Sequence, residues 1–195
     1  MIVLDKDKTC FVCVPKNGTH TIYNHLSAHR GRRVGKYHEF RRIKIPRGFF
    51  LIKRYRTVMV WRDPIDRAAS LYKDIVLREH QKKRKVLNKD SQEIHQKVAA
   101  MCHCFSDFVD YLCRDDESVS NYLFKSQSWW FEKIKPDLVV KIEDLNSYLY
   151  ELTGEYPSIE HQSVDLDTRT VIITDQDRFN ILNKWAKNDS RFECL

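Results

Sequence analysis

Two stretches of this chain carry residue types spaced for holding anions. The first is Pro15-Lys16-Asn17-Gly18-Thr19-His20-Thr21. An apolar run from Cys10 to Val14 precedes it, and Ile22, Tyr23 and Leu26 open a helical pattern after it. A strand, a glycine turn and a helix start make a natural anion site. Backbone N–H groups point outward there, and the helix dipole favours negative charge. Lys16 adds a mobile positive charge, and Thr19 and Thr21 add hydroxyl donors. The plainer alternative is an ordinary strand-to-helix turn with a capping threonine. The stretch is not a Walker A loop, because G-x-x-x-x-G-K-[ST] is absent, which argues against a nucleoside-triphosphate hydrolase or kinase.

The second stretch is Arg62-Asp63-Pro64-Ile65-Asp66-Arg67-Ala68-Ala69-Ser70-Leu71-Tyr72. Arg62 follows an apolar run, and Ser70 lies two helical turns further on. Arg67 and Ser70 are i, i+3 neighbours. An arginine fork with a nearby hydroxyl suits a second phosphate. The alternative is that the arginines pair with Asp63 or Asp66 as structural bridges, a reading that fits Arg67 better than Arg62.

These residues need a scaffold. Three short apolar runs read as fully buried strands of the parallel type: Cys10 to Val14, Thr57 to Trp61 and Leu138 to Ile142. Each is followed by a turn signal and a helical pattern. Asp63 is a good N-cap and Pro64 suits the first helical position. Ile65, Ala68, Ala69, Tyr72, Ile75 and Val76 then form one apolar stripe. Phe105, Phe108, Val109 and Leu112 keep helical spacing, as do Leu145, Tyr148, Leu149 and Leu152, with Gly154 as C-cap. Thr174 can cap a last helix carrying Phe179, Leu182 and Trp185. The alternation predicts a three-layer α/β domain with a central, mostly parallel sheet flanked by helices. A single domain is expected over residues 1–195. Within it, residues 78–97, with Lys82-Lys83-Arg84-Lys85, read as a polar helical extension or mobile excursion.

The charge is uneven. The 195 residues carry a formal net charge of +7. Residues 30–56 hold eleven basic residues and one acidic one, Glu39, whereas residues 143–195 hold eleven acidic and five basic. The excess suits an anionic partner. No apolar run approaches the ~20 residues of a membrane helix, and the charged start Met1-Ile2-Val3-Leu4-Asp5-Lys6-Asp7 has no signal-peptide core. A soluble, cytoplasmic protein is therefore expected. The six cysteines then read as free thiols. Cys10-x-x-Cys13 with Cys102-His103-Cys104 resembles a zinc set only in spacing. Buried small hydrophobes are the preferred reading, and no metal is expected.

The Pro-Lys-x-Gly-Thr-x-Thr loop resembles the 5′-phosphosulfate loop of sulfotransferases that use 3′-phosphoadenosine 5′-phosphosulfate (PAPS). The Arg-Asp-Pro-x-x-Arg-x-x-Ser-x-Tyr run resembles their 3′-phosphate motif. Pro136 to Leu145 is similar to their later strand and Glu-Asp-Leu turn. Trp185 to Phe192 is similar to the C-terminal helix ending of membrane-bound carbohydrate sulfotransferases and their bacterial or viral relatives. Two departures stand out. His20 occupies a position where the family more often has Ser, Thr or Arg. The His-x-x-Pro-Gln segment of many Golgi-type members is represented by Leu123-Phe124-Lys125-Ser126-Gln127.

The resemblance implies a P-loop-like sulfotransferase fold and sulfuryl transfer from PAPS to a hydroxyl or amine by in-line displacement, without a metal. A carbohydrate is the expected acceptor, with a small hydroxyl compound as the other choice. Lys16 would contact the phosphosulfate and stabilise the leaving oxygen. The amides of Asn17, Gly18, Thr19 and His20, with the Thr19 and Thr21 hydroxyls, would hold the 5′ phosphate. Arg62 and Ser70 would hold the 3′ phosphate. Relatives often carry a Gly-His-Tyr or Tyr-His segment between the two motifs, so His38 is the first choice for general base and Glu39 the second; a surface histidine is the plain alternative. Trp129 and Trp130 either stack on adenine or a sugar, or pack in the core. Two other functions compete: a basic nucleic-acid-binding protein using residues 30–56, and a nucleotide-binding kinase-like protein or degenerate transferase. The basic run lacks a recognition-helix or RNA-binding motif, so no nucleic acid is expected as partner.

Overall fold

The computed structural model describes residues 1–34, 54–82, 89–114, 121–158 and 171–189, with 89–91 described through their backbone alone. The chain gathers into two compact units. One comprises Met1–Arg62, Ser126–Glu160 and Asn188–Leu195; the other comprises Asp63–Lys125 and His161–Lys187.

The first unit holds a five-stranded sheet. Its strands are β1 (Ile2–Leu4), β2 (Thr9–Phe11), β3 (Arg32–Arg33), β4 (Arg56–Trp61) and β5 (Leu138–Lys141), in the order β3-β1-β2-β4-β5. The core of the sheet is parallel: β2 pairs with β4 (Phe11 opposite Val58) and β4 with β5 (Trp61 opposite Lys141). β1 joins β2 and β3 antiparallel and adds a mixed edge. The predicted α/β class is therefore the observed one.

The apolar runs explain the parallel core. Strands buried on both faces lose the usual alternation. In β4, Thr57, Val58, Met59, Val60 and Trp61 are all buried. One face of the sheet packs Phe11, Val58, Val60 and Val140 against helix α1 (Thr19–Ala28), through Ile22, Tyr23 and Leu26, and against a later helix through Leu145 and Leu149. Each such buried side chain contributes about 1.5–3 kcal/mol relative to exposure. The run at 10–14 is only partly ladder. Val12 still donates its amide to Val58 O at 3.0 Å, after which the chain leaves the sheet to form the glycine turn. β1 and β3 were not predicted: three and two residues are too few to display a period of two.

The second unit is helical. Helix α2 (Pro64–Tyr72) starts as predicted. The Asp63 carboxylate accepts from Ile65 N at 2.9 Å and Asp66 N at 3.0 Å, and Pro64 occupies the first turn. The helix runs on as a π-helical turn, Lys73–Leu77. Helix α3 (Lys89–Met101) and helix α4 (Phe105–Leu112) follow. Tyr72 meets Phe105 edge to face at 5.5 Å, and Tyr111 meets Phe124 at 5.2 Å. Arg67 is fully buried here, its guanidinium 5.0 Å from the Trp185 ring centroid. That places Arg67 in the core of its unit, as a cation over an aromatic face. Of the polar stretch 78–97, α3 packs Ile94 on this core, followed just beyond the stretch by Val98 and Ala99. Residues 83–88, including most of the Lys82–Lys85 run, lie outside the described residues.

Back in the first unit, helix α5 (Gln127–Ile134) leads to β5, and helix α6 (Leu145–Thr153) ends at Gly154 in the left-handed conformation, φ 79°. The final helix, α7 (Asp175–Asn180) of the second unit, is capped by Thr174 and continues as a π-helical turn, Ile181–Trp185. No described helix is long and apolar enough to cross a membrane.

Candidate functional site

Because β2, β4 and β5 are parallel, the segments following them emerge at one end of the sheet. The glycine turn leaves β2 there, and Arg62 leaves β4 there. The crevice beyond the carboxyl ends of parallel strands is where such sheets hold ligands.

The turn is built on two left-handed residues, Lys16 (φ 69°) and Gly18 (φ 72°). Gly18 is the N-cap of α1, and Ile22 N donates to its carbonyl at 3.0 Å, the first intrahelical bond. The first turn of a helix presents amides that its own carbonyls cannot satisfy, and its dipole end is positive. Left-handed residues next to such a helix start turn successive N–H groups toward one concave side, a geometry that binds anions. A left-handed lysine costs roughly 1 kcal/mol or more, so the surrounding contacts must hold it. One does: Arg62 Nη1 donates to Lys16 O at 3.0 Å.

The other expected residues divide by orientation. Asn17 is buried, and both of its nitrogens serve the protein. Its amide donates to Val14 O at 3.2 Å, and its side-chain Nδ2 donates to Val60 O and to Gln127 Oε1, both at 2.6 Å. The Thr19 hydroxyl is buried and donates to Val14 O at 3.0 Å. In this geometry Asn17 and Thr19 shape the loop, in place of the expected outward contacts. Lys16 and Thr21 are half-buried, and His20 is exposed. Ser70 is a half-buried residue of α2, in the second unit. His38 and Glu39 lie outside the described residues.

Gly18 is required twice over. Its φ is positive, and a Cβ there would come within 2.6 Å of Leu145 Cδ2, on a side chain that is itself buried. Leu145 is the leucine of the Glu-Asp-Leu turn, whose Asp144 amide donates to Lys141 O at 3.0 Å. Gly18→Ala adds the left-handed penalty of ~1 kcal/mol to an overpacking cost of ~1–3 kcal/mol. A melting point lower by roughly 5–10 °C is expected in calorimetry.

Sequence reasoning missed the polar centre of the site. Gln127 is fully buried at the start of α5. Its Oε1 accepts from Arg62 N at 2.9 Å as well as from Asn17, and its Nε2 donates to Arg62 O at 2.7 Å. The Asp189 carboxylate, also fully buried, accepts from Gln127 Nε2 and Gln127 N, each at 3.2 Å, and from Ser128 N at 2.7 Å. Asp189 thus sits on the positive end of α5 and fixes the Gln127 side chain. Gln127 falls at the Gln of the His-x-x-Pro-Gln segment, a signal that could have singled it out, whereas Asp189 is by residue type no different from a surface carboxylate.

Of the basic segment, residues 30–34 and 54–56 are described. Arg32 in β3 pairs with Asp5 at 3.0 Å, in the turn that precedes β2, and Arg56 begins β4. Arg32 holds the Asp5 carboxyl down at about 2. Through β1, Arg32 and Arg33 lie level with Cys10 and Phe11 of β2, whereas Arg56 lies opposite Thr9 at the start of β2. Trp130 is buried and meets the half-buried Trp129 edge to face at 5.3 Å. Cys10 and Cys13 are buried, and burial pushes their thiols up to about 11 and about 12, which makes them poor nucleophiles and ligands at neutral pH.

Against known proteins, the model of the sulfotransferase family matches residues 1–155, a span holding both anion-binding stretches and Gln127. No curated protein and no solved structure matches.

Proposed function

The chain belongs to the sulfotransferase family, and from that premise we propose that it transfers the sulfuryl group of PAPS to a carbohydrate hydroxyl. The observation that carries the proposal is the bond from Arg62 to the Lys16 carbonyl. It joins the lysine of one anion-binding stretch to the arginine of the other, and a nucleotide with anions at both its 5′ and 3′ positions suits that pairing.

The residues divide the work. The first-turn amides of α1 and the Thr21 hydroxyl bind the 5′ phosphate. Asn17 and Thr19 keep the loop in shape behind them. The Lys16 ammonium neutralises charge that builds on the leaving phosphate oxygen. Arg62 binds the 3′ phosphate and so fixes the nucleotide's direction. The nucleotide supplies an activated sulfuryl group; the protein supplies position and charge, which carry most of the catalysis in such in-line transfers. His38 takes the proton of the acceptor hydroxyl, a role that needs a pKa near the working pH. No metal enters this scheme. A polyanionic nucleic acid is a weaker fit as partner, since the basic run carries no recognition-helix or RNA-binding motif.

Sulfate-labelled PAPS, offered with a panel of glycans, small alcohols and amines, tests the proposal. Labelled glycan is the expected product. Label transferred to amines or small alcohols alone overturns the acceptor class, and no transfer to any acceptor overturns the activity. In the same assay His38→Ala is expected to lower turnover about 10²–10⁴-fold at unchanged nucleotide affinity. Full turnover in that variant removes His38 as the base.

A further inference from the structure

Among the described residues, the Gln127 side chain bonds both anion-binding stretches from outside them. Gln127 grips the strand end at Arg62 through that residue's amide and carbonyl, at 2.9 and 2.7 Å, and grips the loop through Asn17 at 2.6 Å. Asp189 holds its Nε2 from behind at 3.2 Å. The four groups are all backbone or buried polar atoms. Their hydrogen bonds form in a low-dielectric environment, where each is directional and each loss is costly.

The pattern exceeds what holding the fold together requires. A glutamine that merely filled space would leave its two ends to different neighbours. Here Oε1 serves Asn17 and Arg62 together, so the loop and the strand end share one acceptor atom. Any displacement of Arg62 relative to Asn17 must lengthen one of those two bonds. Asn17 carries the constraint onward, because it sits between the left-handed residues Lys16 and Gly18.

We propose that Gln127 is a positioning residue that sets the distance between the 5′-phosphosulfate loop and Arg62, and thereby selects nucleotides bearing phosphates at both positions. The inference rests on the reading of the site given above. A ligand with one phosphate engages whichever stretch it meets and tolerates a shift of the other. A ligand with two must satisfy both at a fixed separation, and it alone loses affinity when that separation is no longer enforced.

The test is a comparison of two ligands, adenosine 3′,5′-bisphosphate and adenosine 5′-monophosphate, titrated calorimetrically into the full chain. The fitted stoichiometry counts folded sites, so lost stability alone does not change the ratio of affinities. In Gln127→Met the preference for the bisphosphate is expected to fall about tenfold or more, the equivalent of ~1.4 kcal/mol, while monophosphate affinity changes less than about threefold. Should Gln127→Met fail to fold, Asn17→Ala cuts the loop end of the same bridge and is expected to lower the ratio likewise. A variant that binds both ligands more weakly by one common factor overturns the positioning role and leaves the sulfotransferase reading intact. Wild-type protein without preference for the bisphosphate overturns both.

Discussion

Lys16→Ala is expected to reduce sulfuryl transfer about 10²–10³-fold, the usual cost of removing one preorganised group that meets developing charge. The fall should lie in turnover, with the Michaelis constant for the nucleotide rising less than about tenfold, because charge on the leaving oxygen grows mainly in the transition state. The substitution isolates the ammonium well. Lys16 is left-handed at φ 69° and half-buried. Alanine meets the same left-handed penalty, and the carbonyl that Arg62 holds is backbone and remains. Thermal stability should therefore stay near wild type. Steady-state kinetics with labelled donor checks the split, and a variant retaining wild-type turnover would remove Lys16 from the chemistry.

The second large effect is expected at Arg62. Arg62→Ala removes a charge-assisted contact to the 3′ phosphate and the 3.0 Å bond to Lys16 O. Contacts of this kind contribute ~1.5–3 kcal/mol each. Affinity for adenosine 3′,5′-bisphosphate should fall about 100-fold, or ~2.7 kcal/mol, against only a few-fold for the 5′-monophosphate. The strand end itself should hold, since Gln127 bonds the backbone of Arg62 and not its side chain. Arg62→Lys restores charge without the fork, and an intermediate affinity is expected. Equal losses for both ligands would mean that Arg62 acts through the loop and not on a second phosphate.

The legible and illegible parts of this protein follow from how far each interaction reaches along the chain. β4 was visible because a strand buried on both faces is a continuous apolar run. β5 was visible as an apolar run too, but it closes the described sheet as an edge strand, with Val140 buried, Leu138 and Val139 half-buried and Lys141 exposed, and so is not the fully buried strand expected. The glycine turn and Arg62 were visible because their chemistry is carried by residue type over seven and eleven positions. Asp63 and Thr174 were visible as caps because capping is local, and both cap as expected. β1 and β3 were not visible: each exists only through pairing with a neighbour.

Gln127 and Asp189 illustrate the same limit at the site. Their bonds span from 61 to 110 positions, and each residue alone resembles a surface polar group. Only the fold makes them a buried bridge. Asn17 and Thr19 were read as outward donors by their place in the motif, whereas the tightness of the turn draws Asn17's amide and the Thr19 hydroxyl onto Val14 O.

The central claim is that Lys16, the start of α1 and Arg62 form one site for a nucleotide with phosphates at both 5′ and 3′ positions. Calorimetric titration of the wild-type chain with adenosine 3′,5′-bisphosphate, ATP and adenosine 5′-monophosphate tests it most directly. The account predicts saturable one-to-one binding of the bisphosphate, at least about tenfold tighter than either of the others. Binding of ATP as tight as or tighter than the bisphosphate would contradict it.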